Sequence, residues 1–227
     1  MENFEFFNPV RIIFGAGEVI KIGEEAVKLG KKALIVSYKE RFLSEDLLEK
    51  VTGILNSNNI ETVSFYEVTA NPTIEQVRQG IDVCKKVNVE FVIGVGGGSA
   101  MDAAKIIAAG VYYKGDPWDM VVSRHDKAFE VSLEKAMPLI MIPTLPATGS
   151  EMNCCGVVSN EATTEKSYVW APCLYPQVSI ADPTLTCSLP EYQTACGGAD
   201  TISHVMEFYL NGFYDATLNN RIQEGVI

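Results

Sequence analysis

The densest run of chemistry-bearing residues in this 227-residue chain is Gly94-Val95-Gly96-Gly97-Gly98-Ser99-Ala100-Met101-Asp102-Ala103-Ala104-Lys105. An apolar run, Phe91-Val92-Ile93-Gly94-Val95, feeds three successive glycines and then an alanine-rich stretch of helical character. Glycine lets the backbone take positive φ and lets a ligand approach closely. The helix start that follows offers unpaired N–H groups and the positive end of the helix dipole. Strand, turn and helix together make a cradle for a pyrophosphate; the plain alternative is a glycine-rich turn with no ligand. No Gly-Lys-Ser/Thr follows, so this is not a Walker A loop. The sixth position counted from Gly94 is Ser99, so it is not G-x-G-x-x-G either. Ser99 and Asp102 also have capping-box spacing, which would make each a helix cap. Lys105 also reads as a solvated helix residue.

A second pattern lies in Gly197-Gly198-Ala199-Asp200-Thr201-Ile202-Ser203-His204. Asp200 and His204 are four apart, so on a helix they project from one face. A carboxylate oxygen and an imidazole nitrogen so placed can grip one divalent ion; taken alone, such a pair is more often a helix-surface salt bridge or hydrogen bond. The chain has only two histidines. The other, His125, sits in polar Ser123-Arg124-His125-Asp126-Lys127 and reads as a surface residue. No activated nucleophile is evident.

The elements that must position these residues alternate. Val10–Phe14 reads as a strand stopping at Gly15-Ala16-Gly17, and residues 18–29 read as a helix ended by Gly30. Ala33-Leu34-Ile35-Val36 is a continuous apolar run, the pattern of a strand buried on both faces. A helix over 44–56, a strand over 62–66 and a helix over 73–86 follow. Then come the strand 91–95, a helix over 99–109 and the strand 139–142. Such alternation predicts a parallel sheet covered by helices on both faces, an α/β fold. After Asp182-Pro183 the pattern turns helical, with one helix over 190–210 and a second from about Asp215. A second domain is therefore expected to begin near residue 185.

Composition removes several function classes. Lys and Arg total 18 against 29 Asp and Glu, a net charge of −11, which argues against a nucleic-acid partner. A phosphate-bearing cofactor stays compatible, because backbone N–H groups hold phosphates without side-chain charge. The six cysteines form no C-x-x-C pair, so no zinc ribbon or dithiol redox site is indicated. Met1-Glu2-Asn3-Phe4-Glu5 is unlike a secretory n-region, and no apolar run reaches membrane-span length. A reduced cytoplasmic setting with no membrane partner is expected.

Gly-Gly-Gly-Ser-x-x-Asp-x-x-Lys after a buried strand is similar to the fingerprint of the iron-containing alcohol dehydrogenases. Ile142-Pro143-Thr144-Leu145-Pro146-Ala147-Thr148-Gly149-Ser150-Glu151 resembles the same family's Thr/Gly-rich loop. Its Leu-Pro-Ala-Thr-Gly-Ser-Glu wording is most similar to the butanol dehydrogenase and aldehyde reductase branch. That wording counts against glycerol-dehydrogenase-like or dehydroquinate-synthase-like relatives of the fold. The resemblance runs over essentially the whole chain. It implies a dehydroquinate-synthase-like NAD(P)-binding α/β domain over 1–184, and over 185–227 the beginning of an all-helical metal-binding domain that stops short.

The resemblance also implies roles. Gly97, Gly98 and Ser99 would contact the cofactor pyrophosphate, and Asp102 would lie near the nicotinamide ribose. Thr144 and Thr148 would offer hydroxyls to the cofactor, or serve only turn chemistry beside Pro143 and Gly149. Lys166 would reach the ribose or phosphates, or be a solvated lysine in a hairpin-like segment. Asn71 would touch the cofactor, or cap the helix after Pro72. Tyr38 and Lys39, at the tip of the second strand, should face the adenosine ribose. NAD-preferring members carry Asp where Tyr38 stands, and without that carboxylate, with Ser37 and Lys39 nearby, the balance tilts from NADH toward NADPH. Asp200 and His204, followed by Glu207, would be half of a metal site for Fe²⁺, or Zn²⁺ in its place, completed by two later histidines. The implied reaction is metal-assisted hydride transfer between NAD(P)H and a small primary alcohol or aldehyde such as butanol or butanal. The full-length form would be a homodimer or larger. A non-catalytic nucleotide-binding role remains the competing expectation.

Overall fold

Apolar side chains at consecutive positions along the inner strands give a sheet with two buried faces. A computed structural model describes residues 7–39, 45–122, 133–210 and 217–226. The strands are β1 (Arg11–Phe14), β2 (Lys32–Tyr38), β3 (Glu61–Val68), β4 (Phe91–Gly96), β5 (Leu139–Pro143), β6 (Cys155–Asn160), β7 (Glu165–Trp170) and β8 (Val178–Ala181). The α-helices are α1 (Ile22–Ala26), α2 (Glu45–Ser57), α3 (Ile74–Val87), α4 (Gly98–Gly110), α5 (Glu191–Tyr209) and α6 (Thr217–Val226). Six strands form one sheet in the order β1-β8-β5-β4-β2-β3, while β6 and β7 form an antiparallel hairpin. Every neighbouring pair in the six-stranded sheet is parallel.

Ala33, Ile35, Ile93, Val95, Ile140 and Ile142 pack with Ile22, Val51 and Leu55 of α1 and α2. Leu34, Val36, Val92, Leu139 and Met141 alternate with them and pack with α3, α4 and the hairpin residues Val158 and Val169. Both faces being covered explains why β2, β4 and β5 read as unbroken apolar runs. The expected α/β architecture is therefore the observed one. From β2 the chain moves outward to β3, but from β4 it moves the opposite way, to β5 and then β8. The reversal falls between β2 and β4. At the carboxyl ends of such a strand pair an open α/β sheet leaves a crevice for ligands.

Two elements differ from expectation. Residues 18–29 are not one helix: a 3-10 turn at Glu18–Lys21 precedes the short α1. Gly17, in the left-handed region at φ 78, supplies no side-chain cap, and the Val19 N–H donates instead to Asp182 Oδ2 at 3.3 Å, a partner distant in sequence. At the far end Lys28 and Leu29 donate three residues back, to the Glu25 and Ala26 carbonyls, which tightens the turn. Strand β8 was not anticipated. Only four residues long, its apolar pattern is broken by Ser179, whose buried hydroxyl donates to the Glu151 carbonyl at 2.6 Å.

Helix α3 begins where expected, but its cap is Thr73, not Asn71. The Thr73 hydroxyl accepts from the Gln76 N–H, and the Gln76 side chain accepts from the Thr73 N–H. Helix α5 matches the expected span, with Gly197 its sole buried residue among those described. Among the described residues no helix is long and apolar enough to cross a membrane. All six cysteines are free.

Candidate functional site

The crevice at the β2/β4 reversal opens into a cleft of about 810 Å³. Its floor is the glycine turn, Gly97, Gly98 and Ser99; one wall is the segment from Thr144 to Thr148, and Tyr38 closes the β2 side. The opposite wall comes from the 3-10 turn Pro183–Thr186 and the start of α5, including Gln193, Cys196, Gly197 and Asp200. Seven of the sequence-predicted residues thus share one cavity: Tyr38, Gly97, Gly98, Ser99, Thr144, Thr148 and Asp200.

The glycines are there for steric reasons. Gly96 has φ 147, and a Cβ on it would meet the Tyr38 ring at 2.8 Å and the Ala100 Cβ at 2.9 Å. A Cβ on Gly98 would lie 2.8 Å from Thr148 Cγ2 and Oγ1, so the turn and the threonine loop touch at that point. Thr144 donates its N–H to the Gly96 carbonyl at 2.9 Å, continuing the β4–β5 pairing past the strand ends. The Thr148 Oγ1 accepts from the Ser150 N–H at 3.3 Å. Both the turn chemistry and the cleft position are therefore real for Thr148.

What presses that loop onto α4 is a buried polar knot that the sequence did not announce. Lys105 also reads from sequence as a solvated helix residue; its side chain is instead wholly buried. Its Nζ donates to Ser150 Oγ at 3.0 Å, Asn153 Oδ1 at 2.8 Å and the Cys155 carbonyl at 2.9 Å. Ser150 Oγ donates onward to Asp102 Oδ1 at 2.6 Å, while Asp102 Oδ2 accepts from the Val157 N–H at 3.0 Å. Burial pulls the Lys105 ammonium down to about 8, against the opposing pull of the Asp102 charge. Burial pushes the Asp102 carboxyl up, while its hydrogen bonds from Ser150 and Val157 hold it down. One signal was available: Ala103, Ala104, Ile106, Ile107, Ala108 and Ala109 surround Lys105 in sequence, and a helix apolar on all sides is buried.

The same geometry removes the capping-box reading of Ser99 and Asp102. The N-cap of α4 is Gly97, which gives no side-chain cap. Both Asp102 oxygens are held by protein donors behind the cleft. Ser99 Oγ instead accepts from the Asn71 N–H at 3.2 Å, and Asn71, at φ 60, accepts from Lys166 Nζ at 2.8 Å through Oδ1. Asn71 and Lys166 therefore join the rim of the cleft as one chain ending on Ser99. Ser37 is fully buried and donates to the Val95 carbonyl at 2.9 Å, so it does not face a cofactor. Lys39 lies outside the cleft, 3.2 Å from the Glu67 carboxylate.

On α5, His204 Nε2 stands 3.8 Å from Asp200 Oδ2, with both side chains about half exposed. The donor pair suits a divalent ion of borderline character. Among the described residues no third His, Cys, Asp or Glu joins them, so the pair is a half-set. His125 lies outside the described residues. The cleft residues that sequence reasoning missed, such as Leu185 and Leu189, come from a segment whose irregular pattern carried no periodic signal.

The profile of the iron-containing alcohol dehydrogenases matches residues 9–183. The chain belongs to this family. It is 40% identical over 227 residues to NADH-dependent butanol dehydrogenase A of Clostridium acetobutylicum, covering all of this chain and 57% of that enzyme. It is 30% identical over 233 residues to the NADPH-dependent aldehyde reductase YqhD of Escherichia coli, again spanning 57% of it. Among solved structures, NADH-dependent butanol dehydrogenase A from Thermotoga maritima superposes with a TM-score of 0.89 at 41% identity, covering 99% of this chain and 55% of that one. The chain thus spans rather more than half the length of the relatives it matches, as the resemblance implied.

Proposed function

We propose that the protein is a metal-dependent alcohol dehydrogenase or aldehyde reductase that exchanges a hydride between NADH and a small primary alcohol or aldehyde. The observation that carries this reading is the cleft in which the glycine turn meets the Thr144–Thr148 segment at the sheet's reversal point. Residues 1–184 are read as the cofactor domain and 185–227 as the opening of a helical, metal-binding one. Gly97, Gly98 and Ser99 hold the pyrophosphate, Thr144 and Thr148 line its path, and Asn71 with Lys166 fixes Ser99. Asp200 and His204 supply two donors to a divalent ion, iron by family membership, which when bound polarises the substrate oxygen.

NADH is preferred here over NADPH on two grounds. Lys39, the cation that the sequence offers to a 2′-phosphate, lies outside the cleft and is paired with Glu67, whose carboxylate repels a second negative group. The butanol dehydrogenase relatives are NADH-dependent by name. Titrating the 227-residue chain with NADH and NADPH should give tighter binding of NADH, and Glu67→Lys should narrow the gap. Tighter NADPH binding by the wild type would reverse this preference. Gly98→Val, which drives a side chain into Thr148, should abolish binding of either cofactor.

A second reading, a nucleotide-binding unit without hydride transfer, is favoured by the donor count at Asp200 and His204. Butanal-dependent NADH oxidation after Fe²⁺ loading separates the two. Under the enzyme reading the rate is lost in Asp200→Ala; a chain that binds NADH yet shows no such rate supports the second.

A further inference from the structure

Tyr38 ends β2 beside the crevice, and its ring turns back along the glycine turn. A Cβ built on Gly96 would come 2.8 Å from Tyr38 Cε2, and one built on Gly97 would come 3.0 Å from the phenol oxygen. That oxygen is hydrogen-bonded at the backbone of Ala100 and Gly97 and at the Ser99 side chain. Helix α4 has no side-chain cap of its own, and its opening bond runs from the Met101 N–H to the Gly97 carbonyl. The N–H groups of Gly98, Ser99 and Ala100 are therefore the donors its own backbone leaves unpaired. A residue from the end of β2, about sixty positions upstream in the chain, accepts at that helix start.

A pyrophosphate seated on the turn needs the same donors. We infer that Tyr38 is a built-in competitor for the pyrophosphate cradle, a phenol cap on α4 that a dinucleotide must displace to seat its phosphates. The inference rests on the dinucleotide reading above and names what sets affinity at that site. Binding becomes an exchange in which the phosphate gains the N–H groups and the phenol gives them up. Losing the phenol oxygen while keeping the ring removes the competitor and leaves the packing on Gly96 in place. With a net hydrogen-bond contribution of ordinary size, the gain in affinity is about two- to tenfold.

The test is calorimetric titration of the 227-residue chain and its Tyr38→Phe variant with NADH, ADP-ribose, inorganic pyrophosphate and adenosine. The expected result is tighter binding of the three phosphate-bearing ligands by the variant and unchanged binding of adenosine. A merely structural role for Tyr38 would not divide the ligands by phosphate content. Equal or weaker binding of ADP-ribose by the variant overturns the inference, as does an equal gain for adenosine. As a second measurement, ¹⁹F spectra of the fluorotyrosine-labelled wild type should show the Tyr38 resonance, assigned by its loss in the variant, shifting on addition of pyrophosphate. A resonance unmoved at saturation also overturns it. A wild type that binds neither NADH nor ADP-ribose sinks the dinucleotide reading and this inference together. A wild type that binds both, with a variant that gains nothing, sinks this inference alone.

Discussion

Lys105 keeps an ammonium in a place without solvent and satisfies it with three oxygens from the segment Ser150–Cys155. Lys105→Met leaves those acceptors unmet and should cost about 2 kcal/mol at pH 7, read from urea unfolding. The pH dependence has a definite sign. The folded-state value lies near 8 against an ordinary 10.5, so between the two the unfolded chain holds a proton that the folded chain has released. Wild-type stability relative to Lys105→Met should therefore rise from pH 8 toward 10, by at most about 1.4 kcal/mol per unit. A flat difference across that range would show that Lys105 titrates as an exposed lysine does. At this scale the sequence was partly legible. The residue types of the cradle announced themselves by spacing, because glycine runs and hydroxyls have few uses in common. Where each side chain points was not legible: Ser37 and Asp102 turn inward to protein partners, and Tyr38 folds back over the glycines.

Elements carry the next set of consequences. Helix α3 holds Asn71 at the rim through its capping box at Thr73, so Thr73→Ala should lower stability by about 1 kcal/mol in thermal or urea unfolding. The β6–β7 hairpin is tied to the same corner. Thr73 bridges to Ser159, the Ser159 N–H donates to the Pro72 carbonyl at 2.9 Å, and Lys166 leaves β7 to reach Asn71. Strands β2, β4 and β5 were legible because burial on both faces forces unbroken apolar runs. Strand β8 was not, since four residues with a serine among them give too short a pattern, and its place in the sheet is fixed by partners distant in sequence. The division of 18–29 into two short turns was hidden for a related reason: apolar spacing there reports burial of Val19, Ile22 and Ala26 but says nothing of the missing cap at Gly17.

Across the whole molecule, order is unevenly supported. Strand β4 and helix α4 are buried almost throughout, whereas α5 shows Tyr192, Ile202, Phe208 and Tyr209 to solvent and buries only Gly197 among its described residues. Amide hydrogen exchange should therefore be slowest in β4 and α4 and faster by orders of magnitude in α5 and α6. Uniform protection along the chain would contradict that division. The pairing of β1 also bears on synthesis. Among the described strands β1 lies at an edge of the sheet, and its partner is β8, the last of them to leave the ribosome. Strand β1 must therefore wait, with Ile12 and Ile13 unpaired, until residue 181 has emerged. The inner strands can assemble before it. In ribosome-stalled chains, protease cleavage within β1 should persist until β8 is exposed and then stop abruptly, making β1 the last of the six described strands to settle.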